Sequence, residues 1–378
     1  MATNSSDRSG EAAGDSSVLR AGVVGLGWTG WLYDVATRPP VNLGPSAVPK
    51  GMPELRPDRD PPPTAHPGKE GLTDSHAGGL VAHPRTELVA GCEVNEERLE
   101  AFGERYGVDA LYTDYGEMLR NERLDFVCVC TRTDDRPDVT ALAVECGAQG
   151  ILTEKPMAHT LAEADRMVDV CREAGVPLAC GPISVGHPAF GAVKQLIDGG
   201  AIGRVLSFES DSVFAQHNGW MYLVDREAAW VMGFAENEDV VMRDGEFTGS
   251  GMIGFRDGLY GSIRIGAPFA RITGETGELT FNWNRFQLFQ DVEGPAGTER
   301  LQVSLPEPDF LGQWSPLYSI DNVIECIDSG EEPRVSGRRV RNAIEIQIAM
   351  RESHRSGGAR VELPLEDRSL GMVYEWFR

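Results

Sequence analysis

The stretch Leu19-Arg-Ala-Gly-Val-Val-Gly-Leu-Gly-Trp-Thr-Gly30 joins a short apolar run to a glycine-rich turn. The apolar run predicts a buried strand, and the G-x-G-x-x-G pattern after it predicts a turn into a helix. In such a turn Gly25 allows the tight bend, Gly27 lets the backbone approach a pyrophosphate, and Gly30 lets helix and strand pack closely. The residues that we predict to contact a dinucleotide here are Gly25, Gly27, Trp28, Thr29 and Gly30.

Strands and helices alternate from this loop to residue 180. Apolar runs predict strands at 87–93, 124–131, 150–154 and 176–180, and amphipathic patterns predict helices at 96–106, 137–146 and 161–174. This alternation is typical of an α/β fold with a doubly wound parallel sheet. Residues 39–79 interrupt it with many prolines, glycines and histidines, and they show neither period. We interpret them as an insertion.

The pattern changes after residue 183. A helix at 189–198 is followed by strand-like segments at 205–212, 249–255, 259–265 and 278–283, and by a last helix at 339–355. This half predicts an α+β domain with a large, mostly antiparallel sheet. The predicted organisation is a disordered tail at 1–17, a Rossmann domain at 18–182 that contains the insertion, and a C-terminal substrate and oligomerisation domain at 183–378.

The chain is strongly acidic. It has 58 Asp and Glu against 35 Lys and Arg, a net charge of −23, and only four of its basic residues are lysines. This charge repels phosphate backbones and anionic bilayers, so neither nucleic acid nor a membrane is an expected partner. Few lysines with many acids are typical of a surface adapted to a salt-rich cytoplasm, although a GC-rich genome is an alternative explanation. Seven scattered cysteines favour a reducing cytoplasm.

A dinucleotide site of this kind needs an acidic residue at the end of the second strand. Glu93 ends that strand, but it follows Gly30 by 63 residues. Removing an insertion of about 40 residues restores the usual spacing. A carboxylate here accepts bonds from ribose hydroxyls and repels a 2′-phosphate, which favours NAD over NADP. Asn95 is a candidate helper, and a solvated glutamate at a strand end is the alternative.

The segment Thr153-Glu-Lys-Pro156 follows the predicted strand at 150–154. With this strand-end E-K-P, and with further matching segments at 125–131, 161–181, 192–203, 271–277, 330–337 and 362–364, the sequence resembles the Gfo/Idh/MocA family of oxidoreductases. The resemblance covers most of residues 20–366. It is specific because unrelated stretches match in the right order.

The resemblance implies a Rossmann domain that binds NAD(P), and a second domain whose sheet covers the substrate and joins a homo-oligomer, a dimer or tetramer. It implies oxidation of a sugar or cyclitol hydroxyl, or reduction of the ketone, in a small-molecule substrate. Lys155 then lies beside the nicotinamide and the reacting carbinol, where a lowered pKa suits proton exchange with the substrate oxygen. Thr131, Glu154, Lys155 and Pro156 are implied cofactor contacts, with Pro156 in a cis bond.

Two departures from the family pattern concern the substrate side. The usual N-x-R-x-x-P has Ile183 and Val185 at its polar positions, which leaves Ser184 and His187 as candidate substrate contacts beside Lys155. The usual D-x-G-x-H-x-x-D is not found. We therefore predict His217 as the catalytic base, since an imidazole pKa near 6.5 suits that role. Asp211 or Asp225 would be near it, and the alternative is an incidental loop histidine.

Other clusters carry weaker signals. A zinc site from His66, His76, His83 and Asp74 matches no familiar spacing, so we interpret these as loop residues and predict no metal. Cys128 and Cys130 share a strand face and indicate core packing.

The sequence thus predicts an NAD-dependent dehydrogenase. The alternative is a non-catalytic family member that binds a nucleotide or sugar in a regulatory or scaffolding role.

Overall fold

The computed structural model describes residues 17–36, 72–181, 183–211, 219–264, 267, 270–282, 285–305 and 315–373. Most of the predicted tail at 1–17 and of the predicted insertion at 39–79 lies outside the described residues, as does His217. Within the described ranges no helix is long and apolar enough to cross a bilayer. All seven cysteines lie within them and are free thiols.

The N-terminal half contains a six-stranded sheet. Its strands are β1 (Leu19–Val24), β2 (Thr86–Cys92), β3 (Ala110–Tyr112), β4 (Phe126–Val129), β5 (Gly150–Thr153) and β6 (Leu178–Cys180). Their order is β3-β2-β1-β4-β5-β6, and every neighbouring pair is parallel. The predicted doubly wound sheet is confirmed. The strand order reverses between β1 and β4, and ligands of such sheets bind at the carboxyl ends of the strands there.

The helices described in this half connect those strands. They are α1 (Tyr33–Val35, continuing a π-helical turn at Trp28–Leu32), α2 (His76–Ala82), α3 (Glu96–Tyr106), α4 (Tyr115–Glu122), α5 (Arg136–Glu145) and α6 (Leu161–Ala174). Local chemistry sets the bounds of α6. Thr160 and Glu163 form a reciprocal capping box at its start, and Gly175, with a φ of +70°, ends it.

The C-terminal half contains a second sheet of nine strands. They are β7 (Val205–Ser210), β8 (Ala228–Ala235), β9 (Gly249–Phe255), β10 (Tyr260–Ile263), β11 (Ala270–Gly274), β12 (Gly277–Asn282), β13 (Arg285–Gly294), β14 (Gly297–Val303) and β15 (Val361–Glu362). In the order β14-β13-β12-β11-β7-β10-β9-β8-β15, the β7–β10 pair is parallel and the others are antiparallel. The predicted, mostly antiparallel sheet is confirmed.

The helices described in this half are α7 (Pro188–Asp198), α8 (Gly219–Val224), α9 (Glu238–Val241), α10 (Pro316–Ser329) and α11 (Gly337–Arg355). Helix α11 lies so close to β8 that a Cβ on Gly233 would be 2.5 Å from the carbonyl oxygen of Met350. Helix α10 returns to the parallel sheet, where Ile327 packs on Gly150 of β5. The two sheets therefore share one continuous apolar core.

A buried carboxylate joins the two chain segments that flank residues 37–71. Asp34 accepts a hydrogen bond from the backbone N–H of Asp74 at 2.6 Å and another from the hydroxyl of Ser75. The same hydroxyl accepts from the backbone N–H of Gly78 and caps α2. The chain therefore leaves α1 and re-enters the fold at α2 at one point. Helix α2 begins inside the stretch 39–79, for which the sequence predicted no helix, so that part of the prediction is wrong.

We expect Asp34→Ala to lower the free energy of unfolding by about 2 kcal/mol, because it leaves a buried N–H and a buried hydroxyl without their acceptor. Asp34→Asn keeps an acceptor of the same shape and should cost less. Asp109→Ala, at an exposed site, is the control and should change stability by less than about 0.5 kcal/mol. Urea unfolding in molar potassium chloride, followed by tryptophan fluorescence, measures all three. Equal stability of Asp34→Ala and wild type would show that Asp34 does not stabilise the junction between the two segments that flank residues 37–71.

Candidate functional site

Two glycines of the loop after β1 lie close to other backbone groups, and a third glycine borders open space. Gly25 has a φ of +90°, and a Cβ on it would lie 2.7 Å from the carbonyl group of Cys130. A Cβ on Gly30 would lie 2.3 Å from the carbonyl oxygen of Gly25, whereas a Cβ on Gly27 would meet nothing within 4 Å. Gly25 and Gly30 are therefore required by packing, and Gly27 borders space that a ligand can enter.

Aromatic side chains hold the start of the helix after this loop. The Trp31 indole is fully buried and donates from Nε1 to the carbonyl oxygen of Leu26 at 2.9 Å. Trp28 is half-buried and lies against Tyr33, with ring centroids 5.6 Å apart. Trp28 and Thr29 are partly exposed and begin the helical turn that follows Gly27. Their contact with a cofactor stays a prediction.

Glu93 lies against the glycine loop although it is 67 positions from its contact there, Leu26. Its carboxylate accepts from the backbone N–H groups of Leu26 at 3.0 Å and Asn95 at 3.1 Å. The Arg98 guanidinium donates to it at 3.2 Å. Glu93 is buried, so its position is set by three donors. Asn95, the predicted helper, caps α3 by accepting from the backbone N–H of Arg98.

The Lys155–Pro156 peptide bond is cis, as the family resemblance implies. Arg136, at the start of α5, joins this turn to the one that follows β4. Its guanidinium donates to the carbonyl oxygen of Pro156, and it donates from Nη2 to that of Thr131 at 2.7 Å. Sequence reasoning missed Arg136, because its partners are backbone carbonyls that the sequence does not reveal.

A buried ion pair connects α2 to the same turn. Nε2 of His76 lies 2.9 Å from Oε1 of Glu154, and both side chains are almost fully buried. Burial disfavours the imidazolium, but the side chains of Cys130 and Glu154 favour it, and together they raise the pKa of His76 to about 10. Burial likewise disfavours the Glu154 carboxylate, but His76 outweighs it and lowers the pKa of Glu154 to about 2. Both groups are therefore charged at neutral pH.

This pair corrects the interpretation of the histidines as loop residues. His76 begins α2 and faces Glu154, and His83, after the end of α2, lies 3.1 Å from Asp321 of α10. Among the described residues no group of three or more His, Cys, Asp or Glu side chains has a geometry that could hold a metal ion. His66 lies outside those residues.

Lys155 emerges from the carboxyl end of the parallel sheet, beside Gly181. Burial lowers the pKa of its ammonium group. The carboxylates of Glu154 and Glu246 oppose that shift, and the Arg136 guanidinium adds to it. A lowered pKa makes the ammonium a better proton donor than an exposed lysine and makes the neutral amine more accessible, which is the direction that acid–base work at a carbinol requires.

Ser184 and His187, the predicted substrate contacts, are both buried. Ser184 lies in a 3-10 turn at Ile183–Gly186. His187 caps α7 by accepting from the backbone N–H of Ala189 on Nδ1, and its ring packs edge-on against Tyr318 at 4.5 Å. These contacts explain the burial of His187, and contact of either residue with a substrate stays a prediction.

The predicted acidic neighbours of His217 lie in different surroundings. Asp211 follows β7, and partial burial raises the pKa of its carboxyl group. Asp225 is bound by the guanidinium groups of Arg339, at 2.7 Å, and Arg338, at 3.2 Å. Burial opposes ionisation of Asp225, and these arginines lower its pKa below the usual range. Asp225 therefore ties α8 to the start of α11, in the wall of a surface groove of about 1100 Å³. None of the predicted catalytic, cofactor or substrate residues that the structure describes lines this groove.

Known proteins resemble this chain both in sequence and in fold. A family model described as an oxidoreductase family with an NAD-binding Rossmann fold matches residues 68–181. D-apiose dehydrogenase of Paraburkholderia graminis is 34% identical over 67% of this chain and 76% of its own length. scyllo-Inositol 2-dehydrogenase (NAD(+)) of Bacillus subtilis is 24% identical over 79% of this chain and 95% of its own length.

Solved structures share the fold at lower identity. An NAD binding oxidoreductase from Klebsiella pneumoniae aligns with a TM-score of 0.66 and 15% identity, over 93% of this chain and all of that one. myo-Inositol 2-dehydrogenase from Lactobacillus plantarum aligns with a TM-score of 0.58 and 19% identity, over 92% of this chain and 99% of that one. Both share the fold of this chain along nearly its whole length.

We expect His76→Gln to lower the free energy of unfolding by about 3 kcal/mol at the pH where its effect is largest, because the substitution leaves a buried carboxylate without its cation. A histidine pKa raised from 6.5 to about 10 gives stability that is complete below pH 6.5 and is lost as the pH rises towards 10. A glutamate pKa lowered from 4.5 to about 2 gives stability that is complete above pH 4.5 and is lost below it. The difference between wild type and variant should therefore be widest between pH 4.5 and 6.5.

Urea unfolding across about pH 4 to 9, which covers the widest difference and its decline at higher pH, measures this effect. His159→Gln is the control, since His159 forms a partly exposed pair with Asp134 and should have a small effect at any pH. A difference for His76→Gln that does not change with pH would mean that His76 is neutral in the folded protein.

Proposed function

The chain belongs to the Gfo/Idh/MocA family of oxidoreductases, and from this premise we propose that it moves a hydride between nicotinamide and a carbinol or ketone carbon of a sugar-like or cyclitol-like molecule. It is an NAD(P)-dependent dehydrogenase of the same broad kind as its named relatives. The observation that carries the proposal is Lys155, a half-buried lysine in the E-K-P turn at the carboxyl edge of the Rossmann sheet, whose pKa is lowered by burial.

The residues of the glycine loop fit a dinucleotide. The space beside Gly27 would be filled by a side chain at that position, and Glu93 already points its carboxylate at the backbone of the same loop. In the proposed complex, the loop backbone holds the pyrophosphate and Glu93 accepts from the ribose hydroxyls. A buried carboxylate repels a 2′-phosphate, so we propose NAD in preference to NADP.

The chemistry divides between cofactor and protein. When bound, the nicotinamide supplies the hydride donor or acceptor. In the oxidation direction, Lys155 as a neutral amine takes the hydroxyl proton of the carbinol; in the reduction direction, Lys155 as an ammonium donates a proton to the ketone oxygen. His217 stays our proposed second base, and Ser184 and His187 our proposed substrate contacts.

The C-terminal sheet supports a proposed homo-oligomer. Phe234, Met252 and Tyr260 lie on the neighbouring strands β8, β9 and β10 and are about half exposed. Val231, on the opposite face of β8, is fully buried. An exposed apolar patch of this kind is typical of a subunit interface, so we propose a dimer or tetramer joined through this face. Seven free cysteines are typical of a reducing compartment, so we propose a cytoplasmic enzyme.

The non-catalytic alternative finds no support in the comparisons, since the similar curated proteins are named as dehydrogenases and reductases. A scaffold that binds nucleotide without turnover also has no need of a half-buried lysine of lowered pKa at the carboxyl ends of the strands.

We expect NADH to bind more tightly than NADPH, measured by nicotinamide fluorescence in molar potassium chloride. Glu93→Gln keeps the shape of the side chain but removes its charge, so it should narrow the preference by about tenfold, or about 1.4 kcal/mol. Glu97→Gln, an exposed neighbour on α3, is the matched control and should leave the preference unchanged. An unaltered preference in Glu93→Gln would refute the assignment of Glu93 to the ribose.

We expect Lys155→Ala to lower turnover by a factor of about 100 or more while cofactor binding is kept, because the proton-exchanging group is lost. The control is Lys194→Ala, which removes a lysine paired with Asp198 on α7 and should leave turnover unchanged. A screen of sugars, cyclitols and their keto forms supplies the substrate. Normal turnover in Lys155→Ala would show that our role for this lysine is wrong.

A further inference from the structure

The glutamate that we assign to the ribose belongs to a closed ring of hydrogen bonds. The Glu93 carboxylate accepts from the backbone N–H of Asn95 on Oε1 at 3.1 Å, and from the guanidinium of Arg98 on Oε2 at 3.2 Å. The side chain of Asn95 in turn accepts from the backbone N–H of Arg98 at 2.9 Å. The end of β2 and the first turn of α3 are therefore fixed to each other, and the guanidinium is fixed to the carboxylate.

The ion pair between Glu93 and Arg98 is buried, with side chains that are 9% and 8% exposed. Water and salt screen opposite charges only weakly in such a place. The other two carboxylates in the first turn of α3, those of Glu96 and Glu97, are exposed, so solvent and ions screen them. The pair therefore sets the local potential at the end of β2, and its two formal charges cancel.

Glu93 keeps one position open for a further donor. Its Oε2 accepts from the backbone N–H of Leu26 as well as from Arg98, so both lone pairs of that oxygen are engaged. Among the described residues, its Oε1 accepts from Asn95 alone. A ribose hydroxyl is a donor that suits this oxygen, beside a loop in which Gly27 borders open space. The carboxylate can thus bind a hydroxyl on one oxygen while Arg98 offsets its charge from the other.

A 2′-phosphate makes a different demand on the same pair. NADP carries this group in place of a ribose hydroxyl of NAD, and at neutral pH it brings about two negative charges and no donor. Glu93 repels such a group. The Nη1 atom of Arg98 is 3.2 Å from this carboxylate, so a ribose substituent beside Glu93 is separated from the guanidinium by little more than the carboxylate itself. The two members of the pair therefore act on the 2′ group in opposite directions.

We propose that Arg98 is a specificity-determining residue, whose positive charge offsets the repulsion between Glu93 and a 2′-phosphate and so limits the preference for NAD. This inference rests on the proposed function and deepens it, because it assigns the preference to a pair of opposite charges and not to Glu93 alone. Removing the arginine widens the preference, and removing the glutamate narrows it. An arginine that only supported the fold would change the affinity for both nucleotides by the same factor.

The first test measures the ratio of the dissociation constants of NADPH and NADH by nicotinamide fluorescence in molar potassium chloride. Arg98→Met keeps an extended apolar stem but removes the charge, so the ratio should rise by about tenfold. Arg98→Lys keeps the charge and should change the ratio by less than about threefold. The control is Arg105→Met, which removes an exposed arginine from the last turn of the same helix and should leave the ratio unchanged.

The second test repeats the substitution where no buried carboxylate loses its cation. Glu93→Gln and the double variant Glu93→Gln/Arg98→Met differ only at residue 98, and the double variant contains neither charge of the pair. The ratio should be about tenfold lower in Glu93→Gln than in the double variant, because the guanidinium is released from its carboxylate and attracts the phosphate. Circular dichroism shows whether each variant is folded. If Arg98→Met alone does not fold, this comparison carries the test.

The outcomes separate this inference from the proposed function. NADH binding with an unchanged ratio in folded Arg98→Met, or with equal ratios in the two Glu93→Gln proteins, overturns the inference and leaves the proposed function in place. An equal loss of affinity for both nucleotides in Arg98→Met also overturns it, because that result assigns Arg98 a structural role only. Binding of neither nucleotide by folded wild type refutes the proposed function, and the inference fails with it.

Discussion

The buried ion pair between His76 and Glu154 is the constraint on which the rest of the site depends. Glu154 immediately precedes Lys155, so whatever holds Glu154 also sets where the lysine begins. A carboxylate buried at this depth needs a cation, and that cation comes from a helix which begins 46 residues after the glycine loop. The turn that carries Lys155 is therefore stabilised by the return of the chain to the sheet after residues 37–71. Arg136 adds a second connection, from the turn after β4.

Much of the fold follows from local pattern. Helices α3 and α6 have the bounds that the amphipathic period and capping residues predict, and the parallel strand order follows from the alternation of strands and helices. The proximity of Glu93 to the glycine loop also follows once the inserted residues are removed, because β1 and β2 are neighbours. These features depend on short-range sequence signals, or on topology that short-range signals determine.

The features that sequence reasoning missed depend on long-range contacts. Helix α2 has seven residues with glycines at Gly78 and Gly79, so it shows no clear helical period. The partner of Glu154 is 78 residues away, and Asp244 accepts a backbone hydrogen bond from Val373, near the far end of the chain. Charge pairs of this kind leave no spacing that one sequence reveals.

The contact of Asp34 with Asp74 and Ser75 has a consequence for how such a chain can change in length. Because one carboxylate joins the chain before residue 37 to the chain after residue 71, the two ends of this segment are held together by described residues alone. Closing a flexible connection costs only about 0.6 kcal/mol more for each doubling of its length. A Rossmann domain closed in this way can acquire or shed a long segment beside its glycine loop, so a new surface can be added there while the parallel sheet and the turns at its carboxyl edge stay the same.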